Sequence, residues 1–204
     1  MNSHLETTEQ ALKRYAQYCL DACQQAKQIL QEQADPSPIA DMAREILVYA
    51  AHLAQFDHML GEAYIACTGI ADSLYEHPRL LLQLKQLALQ IVEHGEEVEH
   101  QTFEVKDELR ADIARLQANI QAADEGRWED IQTGSMLRID PVEWTRAYED
   151  VVDQADREAY ARLTDCPRGM GFCFAYWAEK RAALARHGID WNSPQDMNPG
   201  VMFD

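Results

Sequence analysis

The sequence predicts an all-α protein, a helical bundle of about six helices with an irregular C-terminal tail packed on it. Three observations carry this. Apolar residues recur at Ile39, Met42, Ile46, Tyr49, Leu53, Phe56, Leu60, Ala63 and Cys67, in unbroken alternating steps of three and four. That is the a/d spacing of a helix with one continuous apolar stripe, about 43 Å long at 1.5 Å per residue. Glycine and proline are few, 9 and 7 in 204 residues, and fall in clusters, so the elements between them are long. No strand is needed to account for the rest of the chain.

Taken in order, a first helix opens between Leu5 and Thr8 and runs to about Gln33. It buries Leu12, Tyr15, Cys19, Cys23, Ala26 and Leu30, with Ala16, Leu20 and Ile29 widening the stripe. The Asp35-Pro36-Ser37-Pro38 break ends it, and Pro38 suits the first turn of the organising helix, 39–67. The short connection makes the two helices neighbours. That second helix weakens at Thr68-Gly69. A third, from Ile70 or Pro78, is dense in leucine (Leu80, Leu81, Leu82, Leu84, Leu87, Leu89), the mark of a helix covered on more than one side. Gly95 interrupts before an outer helix, 96–123, that buries Val98, Val105, Leu109, Ile113, Leu116 and Ile120.

Residues 124–139 read as a long loop with Trp128 and Ile131 docking inward. Asp140-Pro141-Val142-Glu143 is a strong helix start, with Asp as cap, Pro in the first position and Glu completing a capping box. A helix then runs to about Leu163, burying Trp144, Tyr148, Val151 or Val152, Ala155 and Ala159. A last helix, 170–187, is rich in aromatics and ends at Gly188. The tail, 189–204, has no helical period; Trp191, Met197, Met202 and Phe203 are expected to lie in a groove of the bundle, the alternative being an arm that reaches a second copy. The chain is thus read as a single helical domain, 1–204: a long-helix bundle (1–123), a loop (124–139), two further helices (140–188) and a docked tail (189–204).

The net charge is −17, from 35 acidic and 18 basic residues, and residues 93–158 hold 19 acids and 7 bases, so −12 of it lies in a third of the chain. Such a surface repels nucleic acid and anionic lipid. No run of about 18 apolar residues exists, so no membrane span is expected. The N-terminus has no apolar signal core. Five cysteines, an odd number mostly on apolar faces, read as reduced thiols. The expected compartment is the cytoplasm.

Several residue groups qualify as candidate sites. Glu97-x-x-His100 is the i, i+3 pair that carboxylate-bridged di-metal bundles use, although the second such pair is missing. Glu45 and His52, seven apart beside the apolar stripe, could join a histidine such as His94 around one divalent metal. Glu45, His52, Glu97 and His100 are therefore the candidate metal ligands. Glu93, Glu96, Glu97, Glu104 and Asp107 form two acidic pairs of the kind that hold Mg²⁺ when they face each other from two helices; a solvated acidic face accounts for them more simply. The most site-like region joins Arg168, Gly169, Gly171, Trp177 and Trp191: a tight glycine turn, an arginine and aromatics at a helix start. The same aromatics would equally serve as an end cap of the bundle.

The expected function is a protein-interaction or structural module with another protein or a second copy as partner, a possible homodimer, and no cofactor. One alternative is a metal-dependent enzyme on a helical bundle; another is an acidic protein that occupies a nucleic-acid-binding partner.

Overall fold

A computed structural model describes residues 7–132 and 137–203. Among the described residues the chain forms nine α-helices, three 3-10 turns and no strand, and no helix is long and apolar enough to cross a membrane.

Helix α1 (Thr8–Gln31) starts on a reciprocal cap: the Thr7 hydroxyl accepts the Gln10 N–H, and the Gln10 side chain accepts the Thr7 N–H. The start is within the expected window; Leu5 lies outside the described residues. Leu12, Cys19, Cys23 and Ala26 are buried as expected, together with Ala22. Pro38 occupies the first turn of α2 (Pro38–Leu53).

The long organising helix is two helices. The chain leaves α2 at Ala54, Phe56 takes an extended backbone (φ −123°, ψ 114°), and a 3-10 turn over Asp57–Met59 leads into α3 (Leu60–Ala71). Helices α2 and α3 pack on each other and both pack on α1. The apolar stripe survives: Ile39, Ile46, Leu53, Ala63 and Cys67 are all buried in one core. Folding back lets the two halves of the stripe cover each other rather than demand partners along the whole 43 Å.

Helix α4 (Pro78–Glu99) packs against α2, α3 and α5, which is why its leucines are spread around the helix. It runs straight through Gly95, which is buried beside Phe103. The real break comes at His100, which is left-handed at φ 54°. Helix α5 (Val105–Asp124) buries Leu109, Ile113 and Leu116 along the expected face, whereas Val98, on α4, is exposed. In the expected loop, Ile131 docks inward and Trp128 stays exposed in a 3-10 turn; residues 133–136 lie outside the described set.

The expected helix over 140–163 is broken into three pieces: a 3-10 turn (Pro141–Trp144), α6 (Arg146–Glu149) and α7 (Val152–Arg162). The tail causes this. Asp140 does cap Val142, but its other oxygen accepts two N–H groups from Asn192, and Glu143 turns inward to accept the indole N–H of Trp191 rather than completing the capping box. Thr145 then caps a fresh start through the Tyr148 N–H. Helix α8 (Phe172–Arg186) follows, and a single turn, α9 (Pro194–Met197), lies in the tail. The tail is held in cis by Trp191, which is buried, by Asn198, which exchanges hydrogen bonds with the Arg138 backbone, and by Phe203 against Trp177. Met202 departs from expectation and is 95 % exposed.

Among the described residues, apolar side chains collect in three clusters. The largest spans α1–α4 and reaches Leu109; a second joins Tyr148, α7, α8 and Trp191; a third lies between α4, α5 and Trp144. The segment entering α4 ties the N-terminal helices to the C-terminal ones. Arg79 bonds the Trp144 carbonyl, Glu149 and Asp124, and Glu149 also accepts the Leu80 N–H at the open end of α4.

Candidate functional site

The C-terminal helices carry one ridge of side chains at four-residue spacing: Phe172, Tyr176 and Lys180 on α8, opposite Asp156 and Tyr160 on α7. Helices α7 and α8 pack along each other, so these residues meet, and Glu76 approaches from the segment before α4.

Lys180 is 1 % exposed. Its ammonium has three N–H donors and three oxygen partners: Glu76 Oε1 at 2.5 Å, Asp156 Oδ1 at 2.8 Å and Tyr176 Oη at 3.1 Å. Tyr176 in turn donates to Asp156, and Tyr148 donates to Glu76. Burial alone would pull the ammonium down, but Asp156 and Glu76 outweigh it and hold its pKa well above the ordinary value. Burial pushes Asp156 up to about 6 although Lys180 opposes the rise. Glu143, next to this cluster, is pushed up to about 8 by burial and by Glu76. At neutral pH Glu143 is therefore largely protonated, and Lys180 faces two carboxyl groups, Asp156 and Glu76. With every donor of Lys180 engaged and no exposure, the group is a lock between the two ends of the chain rather than a nucleophile.

On the outer side of this lock lies an aromatic cluster. The rings of Tyr160, Phe172 and Tyr176 are 5.1–6.4 Å apart, and Arg168 lies over two of them, 4.1 Å from Phe172 and 5.0 Å from Tyr160. Lys180 sits 5.4 Å from the Tyr176 ring on the inner side. Beside these rings is a hollow of about 190 Å³ walled by Tyr75, Tyr160, Phe172, Tyr176 and Trp177, with Gln33 at its edge. The Gly169 N–H donates to Gln33 Oε1 at 2.7 Å, and both Gly169 (φ 115°) and Gly171 (φ 81°) adopt the left-handed backbone that brings Arg168 back over the rings.

Of the residues expected to form a site here, Arg168, Gly169, Gly171 and Trp177 do cluster. Trp191 lies on the inner side, bonded to Glu143 and 5.9 Å from the Lys180 ammonium. No sequence motif marks Lys180, Asp156 or Glu76 as site residues, and Glu143 reads in the sequence only as a capping residue. A usable signal was present for one of them: Lys180 is in phase with Phe172, Tyr176, Ala183 and Leu184, a charge on an otherwise apolar ridge.

The candidate metal ligands are dispersed. Glu45 accepts a hydrogen bond from Tyr18, and His52 packs edge-on against Tyr15 and Phe56. His94 pairs with Asp57. Helix α4 ends at Glu99, so Glu97 and His100 do not share a helix face; both border an open surface hollow. The acids of α4 face the bases of α5: Glu93 is bridged to Arg110 and Glu96 to Lys106, while Asp107 is exposed beside Arg110. Among the described residues no group of three or more His, Cys, Asp or Glu side chains is arranged to hold a metal ion.

A second surface feature lies on the opposite half of the chain. Between α1 and α3 runs a trough of about 770 Å³. Its floor is made of small side chains, Ala16, Cys19, Cys23, Ala66 and Gly69, and its rims carry Leu20 and Ile65, 47 % and 60 % exposed. Gly69 allows the close approach of the helices, since a Cβ there would come within 3.1 Å of Cys23 Sγ. Burial pushes the Cys19 and Cys67 thiols up to about 12, so both stay protonated as small apolar groups.

The chain matches no protein-family model, and neither the curated proteins nor the solved structures provide a match.

Proposed function

We propose that this protein is a cytoplasmic interaction module that holds an apolar helix of a partner protein in the trough between α1 and α3. The observation that carries the reading is the trough itself: a hollow of about 770 Å³ with a floor of alanine, cysteine and glycine, flanked by the exposed Leu20 and Ile65. A floor of small residues beneath two large apolar rims fits bulky side chains spaced three and four apart on an incoming helix. Its charged borders are mixed, with Lys13 and Lys27 against Glu9 and Glu62, so the occupant needs no strong charge of its own. The heptad-like stripe is consumed inside the bundle; the binding face is the second, shallower stripe of α1 that includes Ala16 and Leu20.

The test is site-specific photo-crosslinking in the native cell, with the crosslinker placed in turn at positions 20, 65 and 48. Val48 is 66 % exposed and lies outside the trough. Positions 20 and 65 are expected to capture the same protein and position 48 not to. Leu20→Glu with Ile65→Glu should abolish the adducts formed by a crosslinker at Gln24 while leaving stability within about 0.5 kcal/mol, as for exposed sites generally. No adduct at 20 or 65, or the same adducts from 48, overturns the reading. An adduct of twice the chain's mass identifies the occupant as a second copy.

A further inference from the structure

Independently of the trough, we propose that the aromatic hollow at the α7–α8 end is a binding site for a quaternary ammonium head group. Five aromatic side chains wall it, Tyr75, Tyr160, Phe172, Tyr176 and Trp177, and ring faces attract a cation through their quadrupoles. A cation already uses this surface in cis: Arg168 lies over Phe172 and Tyr160 from outside the hollow. Behind the Tyr176 wall, two carboxyl groups, Glu76 and Asp156, stand against the single ammonium of Lys180 in a site closed to water, so their field is weakly screened. The hollow therefore combines π faces with an excess of acidic groups behind the Tyr176 wall.

The hydrogen-bonding around it selects the kind of cation. The Asp156 oxygen Oδ1 is taken by Lys180 and Tyr176, and Glu76 Oε1 by Lys180 and Tyr148. Gln33 Oε1 is engaged by the Gly169 N–H, and Asp35 Oδ1 by the Ser37 N–H. A primary ammonium brings three N–H groups that need acceptors, whereas a quaternary one brings charge and methyl groups alone. At about 190 Å³ the hollow is smaller than the usual small-molecule pocket and is the size of a head group, not a whole ligand. The same chemistry is offered by a free choline-like cation or by a trimethylated lysine side chain on a polypeptide. Arg168, on a turn with two left-handed glycines, competes for the same rings.

Calorimetric titration of the full chain tests this with four probes: choline, its neutral carbon isostere 3,3-dimethylbutan-1-ol, and one short peptide carrying either trimethyl-lysine or unmodified lysine. Choline or the trimethylated peptide is expected to bind at least about tenfold more tightly than its uncharged or unmethylated counterpart, the size of a desolvated cation–π contact. Binding of the trimethylated peptide well above choline assigns the source to a polypeptide; equal binding assigns it to the free cation. Tyr75→Ala, at a side chain 59 % exposed, should weaken binding severalfold without unfolding the chain, and Arg168→Ala should strengthen it. Leu20→Glu with Ile65→Glu should leave it unchanged. Equal binding of the neutral isostere, or no heat from either choline or the trimethylated peptide with wild type and Arg168→Ala alike, overturns the proposal.

Discussion

Replacing Glu143 by glutamine makes the pH dependence of stability report on one buried carboxyl. In the folded protein Glu143 is held at about 8, first by burial and then by the neighbouring Glu76, while the Trp191 N–H and Lys180 pull it back only in part. In the unfolded chain it returns to its ordinary value near 4.5. The folded state thus binds a proton that the unfolded state releases between these values, and stability must fall as pH rises across that interval. The contribution is whole below pH 4.5 and gone above about pH 8. At about 1.4 kcal/mol per pKa unit the span corresponds to about 5 kcal/mol, an upper bound because relaxation and water entry lower the penalty of a buried charge. Glutamine keeps an oxygen for the Trp191 N–H and cannot ionise. The variant should therefore match the wild type near pH 5 and exceed it by several kcal/mol at pH 9. Urea unfolding followed by circular dichroism at five pH values and constant ionic strength measures the difference. Asp156, raised to about 6 chiefly by burial, adds a fall of the same sign at lower pH, but it is present in both proteins and largely cancels. A wild-type-to-variant difference that stays constant from pH 5 to pH 9 would refute the assignment of a proton to Glu143.

Three further outcomes follow from the packing. Lys180→Met leaves Glu76 and Asp156 buried without their counter-charge and should cost about 3–5 kcal/mol, with Lys180→Met/Asp156→Asn recovering part of it in thermal unfolding. Gly69→Ala places a methyl 3.1 Å from Cys23 Sγ and should cost about 1–2 kcal/mol; adding Cys23→Ala removes the clash, and a double-mutant cycle by denaturant melts should show the coupling. Gly171→Ala meets no obstacle within van der Waals distance except Phe174, but its φ of 81° should still cost about 1 kcal/mol by the same melts.

The places where the sequence misled have particular causes. Apolar spacing of three and four says which residues of 39–67 are buried, but it is the same whether the helix continues or folds back, and neither glycine nor proline marks the break at residues 54–56. Gly95 resembles a break because glycine weakens helices in isolation; packed against Phe103 in a well-covered helix it is tolerated. The capping box at Asp140 was half right, since the tail takes the carboxylate meant to close it. In the aromatic end, Arg168 with its two glycines and Trp177 stood out by composition, whereas Glu76 lies 104 residues from Lys180 along the chain and no local pattern pairs them.

By itself, then, the sequence determined the all-α class, the buried faces of its helices and the burial of Trp191, because these follow from local periodicity and from the cost of leaving apolar surface in water; that Trp191 docks in its own chain, on Glu143, came from the tertiary structure. Only the tertiary structure decided where the helices turn, which carboxylates meet Lys180, and which stripe is left open between α1 and α3. Those outcomes depend on contacts between residues far apart in the chain, where burial converts ordinary charged side chains into a matched set and leaves small residues as a trough.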